Sequence, residues 1–180
     1  MIMGAFAHVR GDPESCCRWL IESGAVSYAD LVTVLQTEGI TVFDVRFDVP
    51  AELGDYPVEH AKVSVLADAS IAAVPVGDRD RPWHHRYPQW SIDQIIGHAD
   101  GPLLWLSVVG GLCLWYPGDP PAWRWNWDQG FDTFLQLVQR HLWSEEYYRR
   151  HGHWPVEDAP HGERADGTTH PFNPPFLRCA

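Results

Sequence analysis

Cys113 is the residue whose type and setting best suit covalent chemistry. It stands in Gly110-Gly111-Leu112-Cys113-Leu114-Trp115-Tyr116-Pro117, at the end of an apolar run and just before a Pro-Gly loop. A thiolate there is a nucleophile, and its reactivity follows its pKa and exposure. The competing reading is a buried thiol in an apolar strand, since free cysteine is among the most buried residue types. Histidines form a second group: His84, His85, His98, His141, His151, His153 and His161. Such a group could donate to an oxyanion or take a proton. No His-Glu-x-x-His or paired Cys-x-x-Cys spacing occurs, so neither a metal nor a cofactor is expected. Trp123, Trp125 and Trp127 alternate along the chain. They either pack one side of an extended segment or present an aromatic patch to a partner.

These residues need elements to position them. Asp12-Pro13 signals a helix start, with an end near Ser23 and Gly24 as the stop. Ser27 to Asp30 followed by Leu31, Val34 and Leu35 predicts a second helix closed by Gly39. Phe43, Val45, Phe47 and Val49 alternate with Asp44, Arg46 and Asp48, the period of a half-buried strand. Ala61, Val63 and Val65 repeat that pattern, and Pro50, Gly54 and Pro57 mark the turn between the two strands. From Pro75 to Pro102 the chain reads as an irregular loop, with a short helix at Ser91–Ile96. Leu103–Val108 and Leu112–Tyr116 predict two further strands joined at Gly110-Gly111. Asp128 is a candidate N-cap for a long helix to Arg150, with the stripe Phe131, Phe134, Leu135, Val138 and Leu142. Gly152 and Pro155 stop it, and an extended or disordered tail follows from Val156.

The chain has 180 residues, 45% of them hydrophobic, enough for a single domain with its own core. Its net charge of −11 argues against nucleic acid as a partner. The longest apolar run, Leu103–Val109, is too short to span a membrane. No basic region followed by an apolar run opens the sequence, so Cys16, Cys17, Cys113 and Cys179 are expected to be free thiols in a reducing, cytoplasmic setting.

The order of these pieces resembles ubiquitin-conjugating enzymes, the UBC-like family. The closer likeness is to bacterial members encoded in antiphage defence operons, including the cyclic-oligonucleotide (CBASS) systems. Tyr56-Pro57 falls between two strands, as a Tyr-Pro often does in the family. Gly111-Leu112-Cys113-Leu114 matches the segment around the family's active cysteine, and Leu112 to Pro117 is similar to the bacterial Leu-Cys-Leu-Tyr-Tyr-Pro. Tyr148-Arg149-Arg150-His151-Gly152-His153-Trp154-Pro155 is similar to the stretch that ends the bacterial helix. The resemblance covers roughly residues 25 to 162.

It implies an α+β, UBC-like fold: an antiparallel four-stranded meander packed on helices, with a long C-terminal helix. Residues 1–24 would be a helical extension, 25–155 the UBC-like domain and 156–180 the tail. It further implies that Cys113 carries a thioester, received from an activating enzyme and bearing a ubiquitin-like or other protein's activated C-terminus. A nucleotidyltransferase is one candidate target. His85 or His98 would assist as catalytic helper, and Arg86 or Arg124 would lower the thiol's pKa. The family's His-Pro-Asn is missing, because Asn126 and Asn173 both follow Cys113. Two other classes compete: a non-catalytic UBC-like protein-binding module, and a cysteine hydrolase.

Overall fold

The computed structural model describes residues 3–77, 110–115 and 124–155. Over these the chain forms α1 (Met3–Gly11), α2 (Pro13–Glu22), β1 (Ala29–Gln36), β2 (Ile40–Phe47), β3 (Glu59–Leu66), β4 (Ile71–Val76) and α3 (Phe131–His151). The strands make one antiparallel meander in the order β1-β2-β3-β4.

Asp12 caps α2 as its sequence predicts, its Oδ1 accepting from the Ser15 N–H at 3.3 Å. The short helix α1 ahead of it has no start signal of its own in the sequence and falls within the 1–24 stretch expected to be helical. Val9 from α1 and Cys17 and Leu20 from α2 enter the same buried cluster as the sheet.

The predicted helix over Ser27–Gly39 is instead strand β1. Leu31, Val34 and Leu35 fit helical spacing, but Val32, Thr33 and Val34 form a β-branched run that favours a pleated surface. Pairing settles the matter. Thr37 N–H donates to Ile40 O at 2.8 Å, closing a tight hairpin, and β1 lies against β2 with a bulge between Leu31 and Thr33.

Strands β2 and β3 obey their period of two. Phe43, Val45, Phe47, Ala61, Val63 and Val65 are fully buried on one face. On the other face Asp30, Arg46 and His60 lie side by side, as do Thr33, Asp44 and Lys62. Arg46 is 3.6 Å from Asp30 and 3.1 Å from Asp48 across that wet face.

Strand β4 had no sequence signal. Pro75 reads in sequence as the start of a loop, yet it pairs with Ala61 in the register of β3 and β4. β4 pairs only with β3 among the described strands, so an imide without an N–H is tolerated there. Leu112–Tyr116, predicted as a strand, shows only a single bridge residue at Leu112 over its described part. The four-stranded meander is thus present, but β1 and β4 occupy places the pattern gave to a helix and a loop. Leu103–Val108 and Ser91–Ile96 lie outside the described residues.

Helix α3 starts at Phe131 rather than at Asp128. A short 3-10 turn, Trp127–Gln129, precedes it, with Asn126 and Gln129 forming a reciprocal capping box. The predicted stripe is correct: Phe131, Phe134, Leu135, Val138 and Leu142 are all buried. Gly152 ends the helix at φ +74°, its N–H donating to Tyr148 O at 2.8 Å. Among the described residues no helix is long and apolar enough to cross a membrane.

Candidate functional site

The Cys113 segment is tied to the sheet by a backbone bond. Leu112 N–H donates to Ala73 O on β4 at 2.8 Å, and Leu114 N–H donates to Leu112 O at 3.1 Å. The second bond closes a three-residue turn with Cys113 at its centre. Gly110, at φ +87°, supplies the left-handed conformation that lets the chain enter this turn.

Behind the turn stands an aromatic layer. The Trp115 and Trp125 rings both meet Phe134 edge-on, with centroids 6.1 and 5.0 Å away. Trp125 meets Trp127 at 4.9 Å, and Trp127 continues to Phe6 of α1 at 5.2 Å. Packing is therefore the main role of Trp125 and Trp127, while Trp123 lies outside the described residues.

Cys113 itself is 3% exposed and disulfide-bonded. This corrects the expectation of a free thiol at this position: spacing in sequence says nothing about which sulfurs meet in space. Cys16 and Cys17 are free, as expected, and both are buried. Burial pushes the Cys17 thiol up to about 12, and it also raises that of Cys16, so neither is a nucleophile near neutral pH.

His85, His98 and Arg86 lie outside the described residues. Arg124 lies with Trp115 in the lining of one cleft. Of the other described histidines, His141 sits within α3, its Nε2 3.6 Å from Glu145. His151 and His153 group with Tyr147 around the C-terminal end of the helix, where the Tyr147 hydroxyl and His153 Nε2 lie 3.3 Å apart. Among the described residues no three His, Cys, Asp or Glu side chains converge to hold a metal.

A buried charge network that no motif announces lies at the far end of α3. Glu145 is fully buried, 3.6 Å from His141 and 3.9 Å from Arg149. Arg149 also meets Glu146 at 2.8 Å and Glu59 of β3 at 3.6 Å. One signal could have found it: Glu145 follows Leu142 by three residues, so it continues the apolar stripe with a charge.

The fold and site define an α+β protein whose cysteine turn is docked on the last strand of a meander. No protein-family model, curated protein or solved structure matches the chain.

Proposed function

We propose that the protein is a UBC-like acyl carrier acting in bacterial antiphage defence, with Cys113 as the thioester-forming residue. One observation carries the reading: the Leu112–Leu114 turn is bonded to β4 and lies between β4 and α3 in the chain. That is the order of helix, meander, cysteine and helix which the family resemblance leads one to expect.

The chemistry needs the reduced form. A dithiol reductant supplies two electrons and two protons, opening the Cys113 disulfide and becoming oxidised itself. The Cys113 thiolate then attacks the thioester carbonyl of a carrier held on its activating enzyme. The new C–S bond forms and the enzyme's thiolate leaves. A target amine next attacks the Cys113 thioester, an amide forms, the amine loses a proton, and the thiolate is released. His85 or His98 would serve the oxyanion or that proton. A reducing cytoplasm suits this cycle.

The test is intact mass after mixing reduced protein with a glycine-terminated peptide thioester. A hydroxylamine-labile adduct is expected on the wild type and on Cys16→Ala and Cys17→Ala, and not on Cys113→Ala. An adduct that persists in Cys113→Ala, or none on the reduced wild type, overturns the reading.

A second reading, a non-catalytic protein-binding module, is favoured by the 3% exposure of Cys113. It predicts that Cys113 stays inert to alkylation after reduction.

A further inference from the structure

A cleft of about 390 Å³ opens between the β3–β4 turn and the chain leading into α3. Its walls include Trp115, Trp125 and Trp127, with Asp68 and Asp128 among its charged lining. The volume falls within the range of roughly 300–1,000 Å³ usual for small-ligand sites.

Two features decide what fits. Both indole N–H groups on the Trp125–Trp127 side are already used: Trp127 Nε1 donates to Ala69 O at 2.7 Å and Trp125 Nε1 to Gly130 O at 3.0 Å. Trp125, half-buried, therefore offers ring surface rather than a hydrogen-bond donor, while Trp127, only 7% exposed, forms the packed back of the cleft. The second feature is charge. Among the described lining residues stand two carboxylates and one cation, Arg124, an excess of one negative charge. Hydrogen bonds from Ser70, one of them from its N–H at 2.9 Å, hold the Asp68 carboxyl below the usual carboxylate range. Electron-rich ring faces and uncompensated carboxylate both favour a cation, and an alkylammonium gains from both at once.

The geometry points to this cleft as a binding site for an alkylammonium head group seated against Trp115 and Trp125 and balanced by Asp68 and Asp128. The site stands independently of any acyl chemistry at Cys113. Two sources share the chemistry: a methylated lysine side chain and a free quaternary amine.

Calorimetric titration of the full chain tests it, with Nα-acetyl-trimethyllysine amide as probe. The same molecule with the ammonium replaced by its uncharged tert-butyl isostere is the control. The charged probe should bind at least about tenfold more tightly than the isostere. Asp128→Asn, at an exposed position, should weaken it severalfold and lessen its salt sensitivity. Trp125→Phe should weaken it too, with near-UV circular dichroism reporting the fold. Choline binding as tightly as the lysine derivative assigns the site to free amines, and binding of the lysine derivative alone assigns it to a polypeptide. Equal affinity for probe and isostere, no binding up to about 10 mM, or full affinity in Asp128→Asn overturns the proposal.

Discussion

Arg149, near the end of α3, reaches Glu59 at the head of β3, its Nη2 3.6 Å from the carboxylate with side chains only 12% and 4% exposed. Glu59 is in phase with Ala61, Val63 and Val65, so it points a charge toward the core side of the sheet. Arg149 answers that charge and those of Glu145 and Glu146, tying the helix to the meander. Losing one partner of a buried pair strands the other's charge. Arg149→Met should therefore cost roughly 3–5 kcal/mol, and a fall of about 10 °C in thermal midpoint is expected. A change under 1 °C would show that the network adds little.

Glu146 gives the acid limb of stability its shape. Burial pushes its carboxyl up, but hydrogen bonds from Arg150 and Arg149, with their charges, outweigh this and hold it below the usual range. A lowered folded-state pKa contributes stability above the unfolded value, lost as pH falls through the folded value. Urea midpoints from pH 7 to 3 should show Glu146→Gln less stable than wild type near neutrality, with the gap closing as the medium turns acid. A gap independent of pH would assign the loss to packing.

Cysteine labelling should follow burial and bonding. With Cys17 pushed up to about 12 and Cys16 raised as well, neither should react with iodoacetamide at pH 8 in the native protein. Peptide mapping should find Cys113 blocked until a reductant is added. If the acyl-carrier reading holds, Cys113 then labels before either of the others.

Ala69 sits at φ +68° in the β3–β4 turn. Its N–H donates to Leu66 O at 3.1 Å, and Leu66 N–H donates to Ser70 O at 2.8 Å. This is the hairpin loop in which a left-handed residue closes the turn, a place that favours glycine. Relief of the Cβ clash should exceed the extra flexibility of the unfolded chain. Ala69→Gly is expected to stabilise by about 0.5–1 kcal/mol, read from denaturant midpoints. A destabilised variant would mean that the turn's geometry depends on the methyl group.

Phe134 links the core to the cysteine turn. It is fully buried and meets both Trp115 and Trp125. Phe134→Ala should cost about 3–5 kcal/mol and raise hydrogen exchange at the Leu112 amide, whose bond to Ala73 depends on that backing. Unchanged exchange at Leu112 would separate the turn from the aromatic layer.

Local pattern by itself determined the α2 cap at Asp12, the inner face of β2 and β3, the buried stripe of α3 and its stop at Gly152, because each depends on neighbours a few residues away. It also marked Cys113 as the residue on which a family resemblance turns. Only the tertiary structure decided that Ala29–Gln36 is a strand, since its apolar spacing suits both periods and the β2 ladder chose between them. The same holds for β4, whose Pro75 reads as a breaker until Ala61 lies beside it. Tertiary packing also decided the state of Cys113 and brought Glu59 of β3 to Arg149, while Glu145 and Arg149 are already one helical turn apart on α3. A contact between distant parts of the chain is set by how elements pack rather than by any periodicity within them.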